Sequence, residues 1–441
     1  MKPGGLFTAI GLLIVLGGAL WWFNKHPTVD ASGKTPPAPK LISVDANNIE
    51  DIRLAKAGAE PIDLAKLANT WTIVKPNALG ADQDAVSMLT GSIATLNADR
   101  LIDDHPSNLA DFGLTMPSEE IDITVKGGKT TKLLLGSDTP AGTGLYAKLA
   151  SDPKVYTVAT YLKSSFDKSV NDLRDKRLLT FNQDKLTAVS INAKGQTYDF
   201  GKNAQGDWQI TRPKPMRADS LQVDDLIRKL KDAKMDLTSA KSDEKEAAAQ
   251  FASGEKVGSA STTDNLGTQT LEIHKSKDKD GGYYAKSTAV AGIYKVAGEI
   301  GDALGKGVDD YRNKKLFDFG FNEVSKIETN GMAYQKSGDK WTSGSTAYEA
   351  GTVQTVIDKL RDLTAAKFGD RMAGTQTMTL AVTSGDNHRY EKVTIDKDGT
   401  AYDAQRDGEP AVYVLDAKDV DDLQKAVSGI KQQQAAAPKK K

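Results

Sequence analysis

Three tryptophans set the terms for any fold of this chain. Beyond its first two dozen residues the 441-residue sequence contains only Trp71, Trp208 and Trp341, spaced 137 and 133 residues apart. Trp71-Thr-Ile-Val-Lys-Pro76 and Trp208-Gln-Ile-Thr-Arg-Pro213 agree in kind at most positions. Each tryptophan follows a strand-like stretch (Ile49 to Leu54, Leu186 to Ile191, Val324 to Ile327) and precedes a helical one (Ala85 to Leu96, Val223 to Met235, Val353 to Leu363). In the last two of these helices apolar residues recur at three- and four-residue steps, which marks one buried face. Alternating strand patterns come next: Ile121 to Val125 and Lys132 to Gly136 around the Gly127-Gly128 turn, with Leu271 to Lys275 and Leu380 to Thr383 at corresponding places. Aromatic strands Val155-Tyr-Thr-Val, Ile293-Tyr-Lys-Val and Val412-Tyr-Val-Leu lead to a closing helix in every copy. A unit of about 137 residues buries its own core, so the period describes a tandem array of domains and not a short-period solenoid. The expected fold class is α+β: three repeats of mainly antiparallel sheet with helices, over 41–181, 184–319 and 322–430, ending in a disordered tail over 431–441.

The N-terminus is of another kind. Gly4 to Phe23 is a run of 20 residues without a charge. As a helix it would cover about 30 Å, the thickness of a hydrocarbon core. Its Leu, Ile, Val and Phe residues favour the bilayer by roughly 3–6 kcal/mol, and Trp21 and Trp22 stand where an interfacial aromatic belt belongs. A cleaved signal peptide would have a shorter apolar core ending in small residues. Here the run ends in Trp-Trp-Phe-Asn-Lys, and the one cleavage-like triplet, Val29-Asp30-Ala31, comes late. A buried core helix would show an amphipathic face, and none is visible. The segment is therefore expected to be a transmembrane signal anchor over 4–23, single-pass in a bacterial inner membrane with the body extracytoplasmic. The Pro- and Ala-rich residues 27–40 form an extended linker that lifts the body off the headgroups.

Composition removes several function classes. Lys plus Arg is 58 against 59 for Asp plus Glu, a net charge of −1, which leaves no basic footprint for nucleic acid. With no cysteine there is no disulfide framework, thiolate metal site, thiol nucleophile or lipid-modified N-terminal cysteine.

Asp111-Phe-Gly-Leu-Thr-Met-Pro117, Leu133-Leu-Leu-Gly-Ser-Asp-Thr-Pro140, Arg174-Asp-Lys-Arg-Leu178 and the Trp71 motif, behind an apolar N-terminus, resemble a widespread bacterial family of unknown function. The resemblance implies an N-terminally anchored protein carrying its domain once to several times. It also implies association with gliding-type ABC transport systems. The second copy has the low-complexity stretch Ser242 to Asn265 where the Gly-Leu-x-x-Pro motif would fall, and the third has no proline after Trp341. The family supplies no catalytic residues to carry over.

The Gly136–Gly144 loop joins two strands and has no Gly-Lys-Ser/Thr, so it is a hairpin connection and not a phosphate cradle. Asp103-Asp104-His105 has no second histidine at metal-ligand spacing, and Asp278-Lys-Asp-Gly281 and Asp396-Lys-Asp-Gly399 are hairpin turns and not calcium loops. The basic runs Arg174–Arg177 and Arg312–Lys315 suit helix C-termini, and the three tryptophans suit the core. No catalytic, cofactor-binding or metal site is assigned. The expected function is a non-enzymatic binding or scaffolding protein at the membrane, possessing an ABC transport partner by resemblance. The alternatives are an envelope-acting hydrolase and a purely structural periplasmic spacer.

Overall fold

The computed structural model describes residues 39–203, 206–238, 244–278, 281–321 and 323–434. The expected span over 4–23, the linker 27–40 apart from Pro39 and Lys40, and residues 435–441 of the expected tail lie outside these. Among the described residues no helix is long and apolar enough to cross a membrane.

The fold is α+β, built on three sheets in which every pairing is antiparallel. Across its width the first sheet runs Leu79–Gly80, Thr70–Lys75, Ile62–Leu67, Ile49–Lys56, Glu119–Val125, Thr130–Asp138, Gly144–Leu149, Val155–Ala159 and Arg100–Asp103. In chain order this is a four-stranded meander, the helix Gln83–Ala94, an edge strand, and a second four-stranded meander. The meanders join through their first strands, with Ile52 opposite Ile123 and Leu54 opposite Ile121. The second sheet joins in the same way, Ala188–Ala193 against Glu255–Asp264, and the third by Val324–Thr329 against Thr375–Ser384. The third sheet also keeps the edge strand after its helix, Ala365–Gly369.

Period-two alternation decides which face of each sheet is covered. Along Glu119–Val125 the side chains of Ile121 and Ile123 are buried while Asp122 and Thr124 are partly exposed. The covered face meets the helix between the meanders. Gln83–Ala94 buries Val86, Leu89 and Ile93; Ser220–Lys231 buries Val223, Leu226, Ile227 and Leu230; Ala350–Asp362 buries Val353, Val356, Ile357 and Leu360. Each of Trp71, Trp208 and Trp341 is buried in the core of its own sheet. In the first two copies the basic residue before the proline pairs with an acid across the hairpin, Lys75 with Asp63 at 3.1 Å and Arg212 with Asp199.

A second device recurs in all three copies. The residue that caps the long helix also donates its backbone N–H to the chain leaving the closing helix: Asp82 to the Leu173 carbonyl (2.8 Å), Asp219 to Tyr311 (2.8 Å) and Glu349 to Lys431 (2.9 Å). This clasp ties the start of one helix to the end of the repeat. The described chain divides into two compact units, the first ending at Lys176 with the first sheet and the second beginning at Arg177 with the other two.

The stretch Ser242 to Asn265, read from sequence as low-complexity, is ordered over its described part as the helix Glu244–Ser253 and the strand Glu255–Asp264. Its Gly, Ser, Ala and Thr residues hide the alternation. Small side chains mark the strand's inward face, where Gly258 and Ala260 are buried. Leu271 to Lys275 thus falls in the second strand of its meander, the counterpart of Lys132 to Gly136.

The caps differ in strength. The Asp82 carboxylate accepts from the backbone N–H of Asp84 and Ala85, and Asp219 does the same for Leu221 and Gln222, whereas the Glu349 side chain makes no capping bond. Asp82→Ala and Asp219→Ala are each expected to destabilise their unit by about 1 kcal/mol, and Glu349→Ala by less than about 0.3 kcal/mol, read as shifts in the calorimetric transitions.

Candidate functional site

Two of the motifs that carry the family resemblance, Asp111–Pro117 and Leu133–Pro140, meet in space. The 3-10 turn Leu109–Phe112 ends at Gly113, which is left-handed at φ 67. A Cβ at Gly113 would come within 2.8 Å of the Ser137 nitrogen, and one at Gly136 would collide with the Phe112 carbonyl oxygen. Both glycines are required for the Asp111–Pro117 segment to lie on the Leu133–Pro140 strand. Ser118 fastens the contact through its N–H to the Leu135 carbonyl (2.8 Å) and its hydroxyl to Leu135 and Gly136 (3.1 Å each).

Beside this contact the first sheet has an open cleft of about 440 Å³. Leu145, Ala147 and Val158 point into the core, so Tyr146 and Thr157 point to the opposite face. The register places Tyr146 opposite Thr157, and Thr157 opposite Arg100. Three side chains from adjacent strands therefore stand in a row, with Cβ atoms about 5 Å apart. The Asp99 backbone is fixed at the end of the row by its N–H bond to the Thr157 carbonyl (2.7 Å). Thr143 and Pro140, from the loop after Asp138, form the rim. The Phe112 ring meets the Tyr146 ring edge-on at 5.0 Å. Among the described residues the side chains of Asp99 and Arg100 and the hydroxyls of Thr143, Tyr146 and Thr157 have no hydrogen-bond or ion-pair partner.

The other copies differ at this place. In the second, Tyr284 and Lys295 hold the first two positions of the row, and the inserted helix Glu244–Ser253 packs against their strands. In the third the row reads Asp403, Val414 and Lys367.

The second unit has its own polar cleft between its two sheets, about 750 Å³, but there the charges are engaged with one another. Arg217, at the end of the edge strand Met216–Arg217, pairs with Asp318 and, at 2.8 Å, with Glu409, and it donates to the Tyr413 hydroxyl at 3.0 Å. Arg389 and Arg406 both meet Glu391, at 3.1 and 2.8 Å, and Arg406 reaches Glu409 at 2.9 Å. Burial pushes the Asp318 carboxyl up, but Arg217, Asn313, Arg406 and Arg389 outweigh it and hold it below the usual carboxylate range. The origin of the network lies in the repeat. Gln269 of the second sheet accepts the Thr180 N–H at 2.7 Å, and Glu391 accepts the Asp318 N–H at the same place in the third. A carboxylate in place of an amide requires cations around it. This cluster joins two domains, and among the described residues each of its charges has a protein partner.

The residues singled out from sequence are dispersed. Asp103, half-buried, ends the edge strand and accepts the His105 N–H at 2.9 Å, while the exposed Asp104 meets the exposed His105 ring at 3.3 Å. Asp396 lies on a strand that turns at Gly399, φ 59, and Asp278 accepts from Gln250 at 2.7 Å; Lys279 and Asp280 are outside the described residues. Arg312 lies over the Phe368 ring at 3.3 Å and pairs with Asp309, so it acts by stacking across the two sheets. Sequence reasoning placed Thr157 on an aromatic strand but did not bring Asp99, Arg100 and Tyr146 beside it, because register between distant strands leaves no local signal.

The site and fold define a class: a tandem α+β repeat protein with an open polar cleft on the first sheet. The chain belongs to the family described as Domain of unknown function (DUF4340), which matches residues 71–207 and 208–381. Both matched segments begin at a tryptophan of the repeat, Trp71 and Trp208, and so cut across the sheets. No curated protein and no solved structure matches the chain.

Two predictions follow from the charges. Burial, then Asp167, against Lys56, pushes the Glu119 carboxyl up to about 7. An acid with a raised folded pKa binds more protons folded than unfolded, so the first unit loses stability as pH rises from about 4.5 through about 7, by up to about 3 kcal/mol. Glu119→Gln is expected to flatten that pH dependence in calorimetric titrations. In the second unit Glu391→Ala leaves the buried Arg406 with Glu409 as its remaining carboxylate partner; the expected cost is about 1.5–3 kcal/mol, confined to the transition of that unit.

Proposed function

We propose that this protein is a non-enzymatic, membrane-anchored extracytoplasmic binding or scaffolding subunit, accessory to an ABC transport system. The observation that carries the reading is the contrast between the two units. In the second unit the clustered charges serve to join two sheets, and in the first a cleft keeps the Asp99 and Arg100 side chains and the hydroxyls of Thr143, Tyr146 and Thr157 without partners among the described residues. Unpaired polar groups converging on a concave surface are what a ligand site requires, and binding to them recovers hydrogen bonds at little cost in rearrangement. The 20-residue uncharged run and the Pro-rich linker support confinement at a membrane with the body held clear of it. The family resemblance supports the transport partner by association, not by mechanism.

Co-purification tests the reading. The full-length chain, solubilised in detergent from its native membrane and captured by a C-terminal tag, is expected to retain a membrane permease or its ATPase above the level of an unrelated anchored control. Capture of the chain alone would reject a stable transport assembly.

A further inference from the structure

We infer that the cleft of the first unit binds a neutral, polyhydroxylated ligand: one or two sugar rings. This deepens the reading of the protein as a binding subunit and rests on it. The cleft, about 440 Å³, falls within the range of small-ligand sites, roughly 300–1,000 Å³. Its chemistry narrows the ligand. Asp99 and Arg100 cancel in charge, so a ligand with net charge gains no long-range attraction. Their hydrogen-bonding capacity remains open: the carboxylate only accepts, the guanidinium only donates, and the hydroxyls of Thr143, Tyr146 and Thr157 do both. A polyol donates and accepts at each hydroxyl, so it satisfies all five groups, and its bonds to Asp99 and Arg100 are charge-assisted.

A zwitterion such as glycylglycine would use Asp99 and Arg100 but brings a single amide N–H and C=O to the three hydroxyls. The Tyr146 ring, held edge-on by Phe112, adds an aromatic surface of fixed orientation beside the polar groups. The tight contacts at Gly113 and Gly136 hold this wall in place, as a pre-formed site demands. The row is peculiar to the first sheet. Val414 breaks it in the third, and Lys295 takes the central position in the second.

Isothermal titration of the full-length chain, in a detergent without a sugar headgroup, tests the inference. The probes are N-acetylglucosamine, diacetylchitobiose, maltose and cellobiose, with glycylglycine as the zwitterionic comparator. At least one saccharide is expected to saturate the protein at millimolar concentration or below. Asp99→Ala and Arg100→Ala are each expected to weaken it at least tenfold with the unfolding midpoint unchanged. Lys367→Ala, at the counterpart of Arg100 in the third sheet, should bind as the unaltered chain does. The inference is overturned if none of the four saccharides binds, if the two first-unit variants bind unchanged, or if only glycylglycine binds. The partner assay separates the two levels. Retention of a transport component by a chain that binds no saccharide would remove the sugar and leave the scaffold; saccharide binding without any partner would do the reverse.

Discussion

The structure depends on one long-range pairing, made three times: the first strand of one meander against the first strand of the next, across the intervening helix. Ile49–Lys56 meets Glu119–Val125, and the same junction returns in the other two sheets. It closes a loop of dozens of residues, an entropy cost met before its own contacts return anything. Burial of apolar rows such as Ile52, Leu54, Ile121 and Ile123 under the helix offsets that cost, at roughly 1.5–3 kcal/mol per buried side chain. Once the two meanders are joined, the clasp from the helix cap to the departing chain fixes where each repeat ends.

Each copy has diverged around this shared frame in a physically readable way. In the third sheet, a glutamate in place of the second sheet's glutamine has gathered three arginines and two more carboxylates into a neutral network. Such a network adds little net stability, because the desolvation of each charge consumes most of what pairing returns, but it penalises any misplacement of one sheet against the other. In the second sheet an inserted helix packs on the strands that remain open in the first. The first copy holds its Asp111–Pro117 and Leu133–Pro140 motifs in contact and leaves a cleft beside them. One repeated architecture thus serves rigid joining in one unit and an open polar surface in the other.

Much of the fold was legible in the sequence. Tryptophan spacing gave the period, and three- and four-residue steps located Ser220–Lys231 and Ala350–Asp362 to within a few residues. Alternation revealed strands such as Glu119–Val125. The strand Glu255–Asp264 was hidden because its inward positions are Gly and Ala, which carry almost no hydrophobic signal. The edge strand Arg100–Asp103 was hidden because it is short and partly exposed. The candidate cleft was hidden for a further reason. Tyr146, Thr157 and Arg100 become neighbours only through register, and their importance lies in bonds they do not make, which a one-dimensional pattern does not record.

The account's central claim is that a binding body is tethered to a bilayer by its first two dozen residues. Alkaline carbonate extraction of native membranes, followed by intact-mass measurement of the extracted and retained chains, tests this most directly. The account predicts the unprocessed 441-residue chain in the carbonate-resistant pellet. A chain that begins near Ser32 and is recovered in the soluble fraction would contradict it.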